Sequence, residues 1–405
     1  MPAHASRTDG AQMRYDFDTV YDRASSDSLK WGGRIEHCGS EDVIPLWVAD
    51  MDFACPPEIV EAIRARAEHP IYGYPRRGDS YYASIVGWMK RRNGWKIEKE
   101  WICWAPGVVP ALNFAVQAYS MPGDSIVIQP PVYYPFSAAV SGNGRRLIEN
   151  PLILQEGRYV MDYDGLERSI DSSTKAIILS SPHNPVGRVW EKPELERLVE
   201  ICERHGIVII SDEIHSDLVL GEIPHSCVAS LSAKAAAITV TLTAPNKTFN
   251  IAGLTMGSAI IPNEALREAF AAAVADSGIG VSNFFGNVAL EAAYDRGEAW
   301  LEELLVYLRG NLRLVADFMA KNIPELIVAP LEGTYLAWID CRGLGLDDAG
   351  LREFFTKKAG LWLDEGTKFG RGGSGFMRLN LACPRSLLAE ALARLEKDME
   401  EKRRS

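Results

Sequence analysis

No apolar run in this 405-residue chain reaches the ~18 residues needed to cross a bilayer, so no membrane span is expected. No Cys-x-x-Cys pair occurs either. The seven cysteines are an odd number, scattered through apolar stretches such as "WICWAP" and "VEICERHG". That pattern sets aside a disulfide framework and a zinc site and favours free thiols in a reducing cytoplasm. No histidine pair has the spacing of metal ligands, and no metal is assigned. Basic excess is missing as well: the net charge is −11, which argues against nucleic acid or an anionic membrane as main partner. There is no internal repeat. The opening "MPAHASRTDGAQ" lacks the apolar core of an export signal, and residues 1–13 read as a disordered tail.

What is present is an ordinary globular composition, 47% hydrophobic and 24% charged, with a length that suits two domains. Helices are expected at 56–68, where proline starts the run, and at 83–94, which Asn93-Gly94 stops. From about residue 100, short β-rich runs alternate with helical segments. The runs are "DSIVIQP" (124–130), "KAIILSS" (175–181), "GIVIISD" (206–212), "AITVTL" (237–242) and "GSAIIP" (257–262). Near-continuous apolar strands between helices such as 192–206 predict an α/β unit with a mostly parallel sheet covered on both faces. After a long helical stretch, 285–322, strands at 333–341 and 375–383 predict a smaller α+β unit, completed by the N-terminal segment. The expected boundaries are 14–54 and 296–405 for the small domain and 55–295 for the large one.

Three successive runs lead to residues that carry chemistry: Asn184 in "PHNPVG", Asp212 in "DEIHSD" and Lys247 in "TAPNKTFNIAGL". Each has an ordinary explanation alone. Asn184-Pro185 marks a turn, a carboxylate at a strand end caps a helix, and a lysine there sits at the surface. Yet Lys247 is the only charged residue between Lys234 and Glu264, and ligands of open α/β sheets bind beyond the carboxyl ends of strands. Together the three suit a pyridine cofactor bearing an aldehyde, a phenolic oxygen and a phosphate. The aldehyde needs an amine, the phenolate a donor, and the ring nitrogen a carboxylate that keeps it protonated as an electron sink. The Pro-Gly turn in "APGVVPALNFAVQAY" (105–119) offers backbone N–H groups to a phosphate at a helix start. Tyr133 and Tyr134 in "PPVYYPF" offer an aromatic face.

With "WVADMDF" (47–53), "YGY" (72–74), "PGVVPAL" (106–112), "NPVG" (184–187), "SDEIHSD" (211–217), "KTFNIAGL" (247–254) and "RLNLACPR" (378–385) in this order, the chain resembles the fold-type I pyridoxal-phosphate enzymes of the class I/II aminotransferase superfamily. Within them it is similar to the MalY/PatB-type cystathionine β-lyases. The resemblance spans about residues 14–397. It implies a large domain with a seven-stranded sheet and pyridoxal 5′-phosphate as cofactor. Lys247 then corresponds to the Schiff-base lysine, Asp212 to the partner of the ring nitrogen, Asn184 to the partner of the phenolic oxygen, and Tyr133 to the aromatic on the ring. Val108 and Val109 correspond to the phosphate cradle. Tyr74 corresponds to a tyrosine reaching the phosphate of the neighbouring subunit, which implies a homodimer. Arg378 would grip the substrate carboxylate as a two-pronged donor, with Ala49 and Asn184 also at the substrate.

The chain departs from the wider family in three places. Ala244 stands where many relatives have serine, with Thr243 expected to take over that phosphate contact. Thr255 stands where aspartate-type aminotransferases have arginine, and His215 where they have tyrosine, so His215 is either a cofactor contact or a structural histidine. The last two favour a lyase that eliminates a thiol from cystathionine or another cysteine S-conjugate, leaving pyruvate and ammonia. An aminotransferase needing a keto acid, and a protein that keeps the fold to dock a partner, are the alternatives. "GRGGSG" (370–375) matches G-x-G-x-x-G formally, but it precedes a strand rather than opening a helix, so the dinucleotide reading fails.

Overall fold

The computed structural model describes residues 13–404, so the tail expected at 1–13 lies, apart from Met13, outside the described residues. The main sheet has seven strands: β1 (Ile102–Ala105), β2 (Ser125–Ile128), β3 (Arg146–Glu149), β4 (Thr174–Ser180), β5 (Val208–Asp212), β6 (Thr239–Thr243) and β7 (Gly257–Ile260). Their spatial order is β1-β7-β6-β5-β4-β2-β3. Only β7 runs antiparallel to its neighbours; the other pairs are parallel. The mostly parallel sheet read from the sequence is therefore present.

Alternation along these strands explains the two covered faces. Ile126, Ile128, Ile178, Ile210 and Leu242 share one core with α3 (Val108–Tyr119), which follows α1 (Pro57–Ala67) and α2 (Asp79–Asn93) in the chain. Val127, Ile177, Leu179 and Ile209 share another with α4 (Lys192–His205). Helix α4, expected at 192–206, is present with well-formed ends. Glu191 and Glu194 form a capping box, Pro193 lies in the first turn, and Gly206 ends it in the left-handed region at φ 66°.

Three expectations shift. The stretch 285–322 is two helices, α5 (Phe284–Arg296) and α6 (Glu298–Asn322), broken at Gly297, where the chain passes Phe249 too closely for a side chain. The run at 237–242 begins as helix, because the Ser232 side chain caps residues 233–238 by accepting from Ala235 N–H, and the strand starts at Thr239. Strands β1 and β3 were not foreseen. The first is only four residues long, and the second is an edge strand with charged ends.

A second, antiparallel sheet joins β8 (Ile327–Val328), β9 (Leu336–Asp340), β10 (Asp364–Glu365) and β11 (Phe376–Asn380) in the order β8-β9-β11-β10. The N-terminal segment attaches here. Asn380 N–H donates to the Leu46 carbonyl and Asp52 N–H to that of Ala382, both at 2.9 Å. A loop over 370–375 leads into β11 without opening a helix, as the sequence predicts. No helix among the described residues is long and apolar enough to cross a membrane.

Candidate active site

Strands β4, β5 and β6 are neighbours, so their carboxyl ends bring Asn184, Asp212 and Lys247 to one cavity of about 200 Å³. Val108, Val109, Tyr133, His215 and Ala49 also line it. An adjoining hollow of about 320 Å³ is larger, but Arg23, Asp50 and Asp52 there are already paired with one another. The chemistry converges on the smaller cavity.

Lys247 is half-buried, and its Nζ donates to the Ala49 carbonyl at 2.5 Å. Burial lowers its pKa to about 8; nearby Asp50 and Asp212 resist that change and Arg378 adds to it. Asp212 is buried, and loss of water raises its carboxyl to about 7, against the pull of the Ile214 N–H, 3.1 Å away, and of Lys247. A buried carboxyl held this far above its usual range suits a cationic N–H donor, which a protonated pyridine nitrogen supplies. Asn184 accepts from Arg378 through Oδ1, and its side-chain nitrogen has no acceptor among the described residues, so it is free for a phenolic oxygen. Helix α3 starts at Val108 behind Gly107, and N–H groups at a helix start lack intrahelical partners and favour an anion. These residues fit pyridoxal phosphate.

Tyr133 is half-buried, its N–H bound to the Asn184 carbonyl at 3.0 Å, so the two loops are tied together. Burial pushes its hydroxyl up to about 12. His215 lines the cavity with Nδ1 buried and unpartnered among the described residues. Burial holds its ring neutral, with a pKa of about 3.

Other expected residues stand elsewhere. Thr243 does not line the cavity and is buried away from it. Tyr74 is 92% exposed and absent from the cavity of its own chain. Arg378 lies behind Asn184, on β11. Its Nη1 donates to Asn184 Oδ1 at 2.8 Å, and its Nη2 to the Trp47 carbonyl at 2.9 Å and to the Asp364 carboxylate. Three of its five hydrogens are thus committed, and the two-pronged grip expected from the sequence is only partly free in this arrangement.

Sequence reasoning missed two residues. Asn246 lines the cavity with Oδ1 buried and unpartnered among the described residues; its place beside Lys247 was the available signal. Tyr335 donates to the same Ala49 carbonyl as Lys247, at 2.9 Å, and no local pattern marked it. All seven cysteines are free. Glu213, His225 and Cys227 gather within 4.8 Å, but the Glu213 oxygens already accept from Ser211, Val228 N–H and His225, a hydrogen-bonded network without a role at the cavity.

A family model described as "Aminotransferase class I and II" matches residues 41–395. Among curated proteins, the chain is 43% identical to cystathionine β-lyase PatB of Bacillus subtilis, covering 94% of this chain and 98% of that one. Among solved structures it is similar to cystalysin of Treponema denticola, which contains pyridoxal 5′-phosphate: TM-score 0.93, 40% identity, 96% of this chain and all of the other. The pyridoxal-phosphate-bound C–S lyase of Staphylococcus hominis matches with a TM-score of 0.88 at 32% identity, over 95% and 98% of the two chains.

Proposed function

This chain belongs to the class I and II aminotransferase family, and we propose that within it the protein is a pyridoxal-phosphate-dependent C–S lyase. It cleaves L-cystathionine or a related cysteine S-conjugate by β-elimination, releasing a thiol (homocysteine from cystathionine), pyruvate and ammonia. The observation that carries this reading is the meeting of Lys247, Asp212 and Asn184 at three adjacent strand ends, with Lys247 shifted toward its neutral form. The names of the relatives favour elimination over transamination.

Bound, the cofactor supplies an electron sink for the carbanion formed at the substrate α-carbon. The protein supplies the rest. Lys247 Nζ would anchor the cofactor, and as a free amine it would take the substrate α-proton as general base. Asp212 keeps the ring nitrogen protonated. The Asn184 amide would donate to the phenolic oxygen, Tyr133 and the neutral His215 would supply aromatic contacts to the ring, and the N–H groups of Val108 and Val109 would hold the phosphate. Arg378 orients the substrate carboxylate with Asn184 and the backbone at Ala49. Thr243, buried outside the cavity lining, is not assigned to the phosphate.

We read the active form as a homodimer in which Tyr74 reaches the phosphate site of the partner subunit. The support is its 92% exposure beside exposed Ile71 and Tyr72, apolar surface that a second copy would cover. Residues 14–54 and 296–405 are read as the small domain and 55–295 as the large one, supported by the parallel pairing of 44–45 with 361–362 and the backbone bonds of Leu46 and Asp52 to Asn380 and Ala382. Seven free thiols support a reducing, cytoplasmic setting.

The test is to supply L-cystathionine to the purified holoprotein and assay pyruvate and free thiol. Both are expected without any added keto acid. Turnover only on keto-acid addition makes the protein an aminotransferase instead.

A further inference from the structure

Arg378, Asp364 and Lys368 form a chain of alternating charge running from behind the cavity to the surface. Asp364 lies directly opposite Arg378 in the register of β10 and β11. Both side chains are 2% exposed and in ion-pair contact. Lys368, four residues on and 42% exposed, closes the chain at 3.1 Å from the other Asp364 oxygen. Phe369 lies against the guanidinium, its ring centroid 4.8 Å from the central carbon. Nothing in the sequence motifs marks Asp364 or Lys368.

Resting on the lyase reading above, we propose that Asp364 is a positioning residue for the substrate α-carboxylate, acting through Arg378 with Lys368 as its counter-charge. Arginine is a long side chain whose rotamers must be frozen before it serves as a directional donor. Asp364 and the Trp47 carbonyl take both hydrogens of Nη2 and Asn184 takes one of Nη1, which fixes the plane of the guanidinium. Orientation alone would leave a difficulty, because a carboxylate against Arg378 cancels the charge that attracts a substrate carboxylate. Lys368 removes it: the three side chains together carry one net positive charge, available to an incoming carboxylate. A buried arginine that loses its only charged partner among the described residues is left uncompensated, so the pair also keeps the site in place between turnovers.

The experiment compares the holoenzyme with Asp364→Asn, Lys368→Met and the double variant. It measures KM and kcat for L-cystathionine, and calorimetric binding of L-alanine and of L-alaninamide, which lacks the carboxylate. Asp364→Asn is expected to raise KM and the L-alanine dissociation constant about tenfold, with kcat within about twofold and alaninamide binding unchanged. Lys368→Met shifts L-alanine in the same direction by less, and adds nothing once Asp364 is asparagine. Unchanged or tighter L-alanine binding in Asp364→Asn, or equal weakening of alaninamide, overturns the proposal. Should Asp364→Asn not fold, half-exposed Lys368→Met carries the same comparison. Wild-type protein that binds cofactor but releases no pyruvate from cystathionine defeats the lyase reading alone, since the alanine and alaninamide titrations still test Asp364.

Discussion

Lys247 Nζ lies 2.5 Å from the carbonyl oxygen of Ala49, a residue 198 positions earlier in the chain. The contact ties the loop after β6 to the N-terminal segment that docks on the small sheet. It also gives the lysine a resting partner that is neutral, so burial is not offset as a close carboxylate would offset it. Tyr335, just before β9, holds the same carbonyl, and the amine therefore rests on an acceptor fixed independently of it.

A pH dependence follows. With its pKa lowered to about 8, Lys247 is an ammonium below that value and a neutral nucleophile above it. The rate at which cofactor-free protein takes up pyridoxal phosphate is expected to rise with pH and level off above about 8, as followed by stopped-flow absorbance. A rate that does not change through that region would show that the lysine is not titrating there.

Asp212 predicts a stability change of defined sign. Its carboxyl keeps its proton to about pH 7 in the folded state and loses it near the ordinary 3.8 when unfolded. Between those values the folded state binds more protons, so the stability of cofactor-free protein falls as pH rises from about 4 to about 7 and is flat above. Asp212→Asn removes this term. The variant should match wild type at about pH 4 and exceed it above about pH 7 in thermal unfolding, while its lyase kcat drops by about a hundredfold or more.

Tyr74 makes the dimer testable. Because its side chain is 92% exposed, Tyr74→Phe leaves the unfolding temperature of the cofactor-free chain unchanged. Loss of one charge-assisted hydrogen bond weakens pyridoxal phosphate binding about tenfold, measured by equilibrium titration. Wild-type affinity in that variant removes Tyr74 from the phosphate site.

Gly297 tests the break between α5 and α6. An added Cβ there would lie 2.6 Å from both the Ala293 carbonyl oxygen and a Phe249 ring carbon. Gly297→Ala should destabilise the protein by about 1–3 kcal/mol in denaturant unfolding, without altering KM for cystathionine.

Legibility from sequence followed locality. Strands β2, β4, β5 and β7 were readable because they are apolar runs bounded by turns, and α4 because its apolar residues recur at helical spacing and a glycine ends the run. The strand-end residues Asn184, Asp212 and Lys247 were readable because a parallel sheet forces the ends of neighbouring strands together. What escaped depends on long-range contact. Tyr335 matters through a carbonyl 286 positions away, and Asp364 through cross-strand register with Arg378. Thr243 was misplaced for a related reason: the residue type fits a phosphate contact, but at the end of β6 its side chain is buried away from the cavity, which no local pattern reveals.

The most direct test of the account is to compare purified wild type with Lys247→Ala, recording visible absorbance after adding pyridoxal phosphate and pyruvate release from L-cystathionine. Wild type is expected to show a visible cofactor band and to release pyruvate with thiol in equal amounts, and Lys247→Ala to fold normally but do neither. A wild-type protein without that band, or a Lys247→Ala variant that still eliminates thiol at the wild-type rate, would contradict it.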